Sequence, residues 1–393
     1  MTNKNLYLSR PQLIAELGRC LACKTKPCMN ACPVNCNPQE FIAKAIQNDF
    51  DGAVEAITRN NPMGQTCGLI CPDKFCMRAC TRSNIDFPIN IPRVQATILE
   101  KYRTPQNAAH PKHPANGKKI AVVGAGPAGI AAASELSKLG YRIVLFEGFE
   151  KIGGALNLIP DHRLPFEVIG KDWSFVNDPD TIELRLNNFV ENPSALLEQN
   201  FNGVIIASGE PDSIDLGIEG EQHMLSYLEY LRYPDKYAVS GNVAIIGGGA
   251  VAVDCALTAV QNGAENVEMF VRRRVSDMRI TGEERHALLE AGIDLTTMTR
   301  IKKIGTDGNF ITLYTSKNRF NQGKLEEIPD TTIARPGFSL VIKAIGSSSE
   351  RRRDSERVIT AGDCKHGGST IVEALASGLE AARTLHQRLS TQN

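Results

Sequence analysis

Between residues 41 and 57, in FIAKAIQNDFDGAVEAI, the apolar side chains Phe41, Ile42, Ala45, Ile46, Val54 and Ile57 recur at roughly helical spacing, which predicts two short helices. The pattern changes at Lys119. KIAVVGAGPAGIAAASELSKLGYRIVLFE reads as a buried strand, a glycine-rich turn, an alanine-rich helix and a second strand, and NVAIIGGGAVAVDCALTAVQNGAENVEMFVRRR repeats that order from Asn242. GVIIASG (203–209) and LVIKAIG (340–346) predict buried strands that end in small-residue turns, VITAGD (358–363) predicts another, and a helix is expected from about Ser369 to Leu389. Apolar strands alternating with helices predict an α/β architecture built on parallel sheets.

A chain of 393 residues with 42% hydrophobic content is globular, with two or three domains expected. Its 44 basic and 44 acidic residues balance, so no global field favours nucleic acid or an anionic membrane. No basic-then-apolar leader opens the sequence, and the longest apolar run, Ile120 to Ala133, is too short to span a bilayer. The expected location is the cytoplasm, where clustered cysteines bind metal or do redox chemistry more often than they pair.

Nine of the eleven cysteines lie between Cys20 and Cys80. The first group is Cys20, Cys23, Cys28 and Cys32, followed by Pro33; the second is Cys67, Cys71, Cys76 and Cys80, with Pro72 after Cys71. Two iron–sulfur cubanes account for this pattern, because each needs four soft ligands and a cysteine before proline commonly ligates the neighbouring cluster. Structural zinc is the alternative, although zinc sites usually show two Cys-x2-Cys pairs and this chain has one. Cys36 has no evident role and is expected to be a spare thiol. Cys255 and Cys364 stand alone, and Cys364 is expected to be a small packing residue.

Gly124, Gly126 and Gly129 give the G-x-G-x-x-G spacing for a tight turn, close approach of backbone to a pyrophosphate, and close helix packing, while Glu147 ends the second strand where a ribose would sit. In the second copy Gly247, Gly249 and Ala252 take the same places, but the strand ends in Arg272, Arg273 and Arg274 with no acid. Guanidiniums suit the 2′-phosphate of NADPH; a solvated turn is the plainer reading of the same residues. Asp363 is placed to bond a flavin ribityl hydroxyl, or merely to cap its turn. The candidate cofactor contacts are Gly124, Gly126, Pro127, Ala128, Gly129, Glu147, Gly154, Arg163, Gly209, Gly346, Gly362, Asp363 and Thr370 for FAD, and Gly247, Gly249, Ala250, Arg272 and Arg273 for the nicotinamide coenzyme.

These motifs, with CLAC near the start and IGGALNLIPDHRLP at 152–165, resemble the NADPH-dependent flavoprotein subunit of glutamate synthase and its relatives, including the electron-input part of dihydropyrimidine dehydrogenase. The resemblance covers nearly the whole chain. It implies a helical domain with two [4Fe-4S] clusters followed by paired FAD and NADPH domains of the glutathione-reductase-like type. It further implies that Cys20, Cys23, Cys28 and Cys80 hold one cluster and Cys32, Cys71 and Cys76 the other, with Gln95, in PINIPRVQ, as the odd fourth ligand. The link SSSERRRDSERVIT (347–360) is shorter than the family's, which puts FAD coverage on that side in question.

The expected domains are 1–115 (iron–sulfur), 116–235 (FAD, first part), 236–338 (NAD(P)H) and 339–393 (FAD, second part). The expected function is electron input: NADPH reduces FAD, and single electrons pass through the clusters to a large catalytic subunit or ferredoxin-like acceptor. Hydride transfer needs no acid or base, so no catalytic side chain is assigned. Two alternatives are a stand-alone NAD(P)H:ferredoxin-type reductase and a non-catalytic redox sensor or assembly scaffold.

Overall fold

The computed structural model describes residues 6–104, 113–210, 212–237, 239–349 and 354–391. The expected short link near 347–360 falls partly on residues 350–353, outside that set. The chain divides into two compact units, one built from 1–157, 161–211 and 349–393, the other from 158–160 and 212–348.

The first unit opens with helices α1 (Arg10–Gly18), α2 (Pro27–Asn30), α3 (Pro38–Ile46), α4 (Phe50–Thr58), α5 (Gly64–Ile70) and α6 (Ile91–Tyr102). α3 and α4 are the pair that periodicity predicts, and each begins where a side chain accepts a free backbone N–H, from Asn37 to Glu40 and from Asp49 to Gly52. Phe41, Ile42, Ala45, Val54 and Ile57 are buried as expected, whereas Ile46 is exposed. α5 crosses α6 at Gly68, where a Cβ would lie 2.7 Å from the Pro92 carbonyl oxygen.

The same unit holds a five-stranded parallel sheet, β1 (Lys119–Val123), β2 (Arg142–Phe146), β3 (Ile182–Arg185), β4 (Gly203–Ile206) and, from the end of the chain, β15 (Val358–Thr360), in the order β15-β4-β1-β2-β3. α7 (Pro127–Lys138), α8 (Phe166–Val176), the short α12 (Asp363–His366) and α13 (Ile371–Ser390) belong with it. α13 packs on α7 so closely that a Cβ at Gly378 would meet the Ala128 carbonyl oxygen at 2.1 Å.

The second unit comprises β5 (Asp212–Ser213), β6 (Leu225–Ser226), α9 (Tyr227–Arg232), β7 (Asn242–Ile246), α10 (Ala250–Gln261), β8 (Asn266–Val271), α11 (Gly282–Glu290), β9 (Asp294–Thr297), β10 (Thr299–Asp307), β11 (Phe310–Asn321), β12 (Lys324–Glu327), β13 (Ile333–Lys343) and β14 (Ser347–Ser348). Its main sheet runs β10-β11-β13-β7-β8-β9. Here the sequence expectation is corrected. LVIKAIG (340–346) is not a flavin-domain strand: Leu340–Lys343 pair in parallel with Val243–Ile246 of β7. The expected boundaries near 235 and 338 move to 211 and 348, and Gly346 lies in the nicotinamide unit. A short, fully buried apolar run looks the same in either parallel sheet, so the pattern alone cannot assign it.

Candidate functional site

Cys20, Cys23, Cys28 and Cys80 line one cavity of about 30 Å³, together with apolar side chains such as Ile42, Ile89 and Ile91. Local backbone brings them there. Ala22 and Lys26 adopt left-handed conformations, folding the loop back between Cys20 and Cys28, and Pro27 starts the single turn that carries Cys28. Cys23 Sγ lies 3.0 Å from Thr81 Oγ1. Burial pushes the Cys28 thiol up to about 11, and the neighbouring thiols of Cys80 and Cys20 push the same way. Burial also raises Cys20, with Cys23 and Cys80 adding to it. Grouped thiols resist ionising beside one another, and bound iron would supply a compensating positive charge.

Cys32, Cys71 and Cys76 form a second group. Burial raises Cys76 strongly, and the thiols of Cys71, Cys32 and then Cys28 add to it, so the two groups adjoin. Backbone N–H groups of Cys36, Val34 and Asn35 are directed at Cys32 Sγ. Gln95 is buried on α6; its Nε2 donates to the Gly64 carbonyl at 2.6 Å and its Oε1 accepts from the Cys36 thiol at 3.6 Å. Cys36 is buried against Gln95, a placement spacing alone does not reveal. Cys67 is buried on α5 and shares a hydrogen bond with Cys71. Among the described residues, no three His, Cys, Asp or Glu side chains converge closely enough to chelate a single ion. The thiols of the first group are instead spread around their cavity.

The first glycine-rich turn forms a cradle. Gly124 has φ of 105°, and a Cβ there would lie 2.3 Å from the Ala207 carbonyl oxygen; at Gly129 a Cβ would lie 1.8 Å from the Gly124 carbonyl oxygen. α7 starts at Pro127 on extended Gly126, with no side chain capping its first turn, so Ala128 and its neighbours are positioned to offer backbone N–H groups. Gly153 and Gly154 cross over this turn, with the Gly153 N–H donating to the Ala125 carbonyl at 2.8 Å. Glu147 is buried at the end of β2; its oxygens accept from the N–H groups of Ala125 at 2.8 Å and Phe149 at 3.0 Å, which bind the turn to the strand end.

Gly209 has φ of 69° with open space beside it. Arg163 is half-buried beside His162, whose pKa falls through burial and then the neighbouring guanidinium. Gly362, at φ of 74°, packs under α7, and Asp363 accepts from Ser369 Oγ at 2.5 Å; burial raises its pKa. Thr370 is committed to a capping box with Glu373 at the start of α13. Cys364 is buried with its Sγ 3.1 Å from the Ala361 carbonyl oxygen, a packing residue as expected.

The second cradle repeats the first. A Cβ at Gly247 would lie 2.2 Å from the Ala344 carbonyl oxygen, Ala252 is fully buried, and α10 starts at Ala250 on extended Gly249 with no side-chain cap. Nothing lies within 4 Å of the place a Cβ would take on Gly249. Arg272 and Arg273 are exposed and make no side-chain hydrogen bond or ion pair among the described residues, whereas Arg274 pairs with Asp277 at 2.9 Å and covers Phe320. Arg279 was not singled out from the sequence; its backbone bridges Gly249 and its side chain is exposed.

Residues 1–107 match the family model of dihydropyrimidine dehydrogenase domain II with its 4Fe-4S cluster, residues 122–179 an NAD(P)-binding Rossmann-like domain, and residues 174–350 the pyridine nucleotide-disulphide oxidoreductase domain. The chain is 31% identical to a homologue of the NAD-dependent dihydropyrimidine dehydrogenase subunit PreT from Salmonella typhi, over 96% of this chain and 94% of that protein. It is 29% identical to the PreT subunit of Escherichia coli K12 over the same shares. Among solved structures, FprA of Mycobacterium tuberculosis in complex with NADPH is similar in fold, at 16% identity and a TM-score of 0.57, covering 71% of this chain and 85% of that one.

Proposed function

The chain belongs to the family of PreT subunits of NAD-dependent dihydropyrimidine dehydrogenase, and from that family and the geometry of its cradles we propose that it is the electron-input subunit of a pyrimidine-reducing enzyme, holding two [4Fe-4S] clusters. It is an NAD(P)H-dependent oxidoreductase with flavin, nicotinamide and iron–sulfur sites.

The residues present fit these groups. The soft donors Cys20, Cys23, Cys28 and Cys80 line a single cavity, and glycine at 124, 129 and 247 lets each turn pack tightly on neighbouring backbone while the space beside Gly249 stays open. Bound FAD supplies the step from a two-electron hydride to the single electrons a cubane accepts. Gly124, Gly126 and Gly129 would admit its pyrophosphate, Glu147 would lie towards the adenosine ribose, and Asp363 and the start of α13 would lie towards the ring end. In the second unit Gly247, Gly249 and Ala250 would hold the coenzyme's pyrophosphate. Arg272 and Arg273 make no side-chain hydrogen bond or ion pair among the described residues and favour the 2′-phosphate of NADPH, although the PreT relatives are named NAD-dependent.

One contact carries the reading. Lys74, in the loop between Cys71 and Cys76, reaches Glu373 in the first turn of α13 at 3.5 Å. The second thiol group therefore sits against the helix start assigned to the flavin, and the first group adjoins the second through Cys28 and Cys76. The Cys32, Cys71 and Cys76 group would hold the cluster next to the flavin and the Cys20, Cys23, Cys28 and Cys80 group the one beyond it, and together they would carry single electrons towards the partner. Among the described residues no helix is long and apolar enough to cross a membrane.

The test is copurification with a large subunit and anaerobic assay of that complex. Pyrimidine reduction with NADPH that requires both subunits supports the reading; a complex without pyrimidine-reducing activity contradicts the assigned acceptor.

A further inference from the structure

Just beyond β2 and β3 the first unit carries two large apolar side chains into solvent: Phe149 is 52% exposed and Phe189 82%. Scattered exposed apolar residues need no explanation, but these two stand on adjoining loops at the carboxyl ends of a parallel sheet, where ligands bind. Backbone fixes the loops to each other. The Asn187 N–H donates to the Phe149 carbonyl at 3.0 Å and the Asn188 N–H to the Glu147 carbonyl at 2.7 Å, while Asn187 itself, left-handed at φ of 52°, turns the chain. A Cβ on Gly148 would lie 3.3 Å from Phe189 Cδ2, so that ring lies against the backbone between Glu147 and Phe149. Val190, the next residue, packs on the core of the sheet and anchors the loop.

We propose that Phe149 and Phe189 form an aromatic seat for the adenine of FAD. The inference rests on the reading of the first glycine-rich turn as the flavin's pyrophosphate site. From that turn the adenosine half of a dinucleotide runs outward past the acid that ends the second strand, with its ribose at the acid and its base beyond. Beyond Glu147, Gly148 offers no side chain, and the rings of Phe149 and Phe189 follow. Adenine is flat, and stacking on an aromatic side chain removes its faces from water without requiring a hydrogen bond. The rings stand at the adenosine end of the site, so their effect is confined to retention of FAD and to its preference over FMN, which has the same flavin ring and no adenine.

The test uses the full chain, purified anaerobically, stripped of flavin and titrated with FAD and with FMN, the thermal midpoint of the flavin-free protein serving as the folding control. Phe149→Ala and Phe189→Ala should each raise the Kd for FAD about tenfold and leave that for FMN unchanged. Both rings are exposed, so the flavin-free midpoint should stay at the wild-type value. Phe149→Tyr and Phe189→Tyr keep the aromatic face and should bind FAD as wild type does. The inference is overturned if the double alanine variant binds FAD with wild-type affinity, if it weakens FMN as much as FAD, or if the tyrosine variants lose FAD as the alanine variants do. A wild-type chain that takes up no flavin would instead refute the flavin reading of the first unit.

Discussion

Asp172 on α8 and Arg103 just after α6 form an ion pair 2.5 Å apart, with side chains 1% and 7% exposed. The same carboxylate accepts from the Thr66 N–H at 2.8 Å, the Thr66 hydroxyl at 2.7 Å and the Gln65 N–H at 3.3 Å, so it also caps the start of α5. One side chain of the flavin sheet's helix thus fixes two helices of the thiol domain. Removing one partner of a buried pair leaves the other charge unpaired, at about 3–5 kcal/mol. Asp172→Ala should therefore lower the thermal midpoint and expose the 1–104 segment to limited proteolysis. An unchanged midpoint and digestion pattern would show that the pair does not hold the two parts together.

The glycines separate two kinds of effect. At Gly129 a Cβ would strike backbone at 1.8 Å, so Gly129→Ala should yield protein that is unstable or free of flavin. Gly249 has negative φ and open space, so Gly249→Ala should fold and keep its flavin while the apparent KM for the nicotinamide coenzyme rises several-fold. Flavin content by absorbance and steady-state kinetics check both. Unchanged kinetics in Gly249→Ala would remove that turn from the coenzyme site.

Coenzyme choice turns on Arg272 and Arg273. Each charge-assisted contact to a 2′-phosphate contributes about 1.5–3 kcal/mol, roughly tenfold or more in affinity. Replacing both with alanine should raise the KM for NADPH and leave that for NADH nearly unchanged. If wild-type protein uses both coenzymes equally, or the double variant weakens both alike, the arginines belong to a solvated turn.

The thiols give the metal-free protein a pH dependence of definite sign. Cys28, raised from 9.0 to about 11, is held protonated by the fold. Its contribution to stability is complete below the unfolded value and is lost as pH rises from about 9 to about 11. Iron binding requires the thiolate, so cluster reconstitution should improve as pH rises from 7 to 9, while the metal-free fold weakens above 9. Denaturation of the metal-free chain at pH 8, 9.5 and 11 checks this; rising stability across that range would contradict it.

Much of the site was legible because its chemistry is local. Both glycine cradles, Glu147, α3, α4 and α13 follow from residues within one strand-turn-helix unit or one turn of helix. Long-range placement was not legible. The strand 340–346 carries the same apolar signal in either sheet, and only its pairing with β7 assigns it. Cys36 meets Gln95 across 59 residues, Lys74 meets Glu373 across 299, and Asp172 meets Arg103 across 69, contacts no local periodicity encodes.

The central claim is that this one chain takes hydride from a nicotinamide coenzyme and delivers it as single electrons through two clusters. Anaerobic titration of the purified chain with NADPH, followed by flavin absorbance and cluster EPR together, tests it most directly. The account predicts about eight irons per chain, bleaching of the flavin on a catalytic timescale, and EPR signals from two reduced clusters that appear as the flavin is turned over by successive additions. Stoichiometric zinc in place of iron, or a flavin that NADPH leaves oxidised, would contradict it.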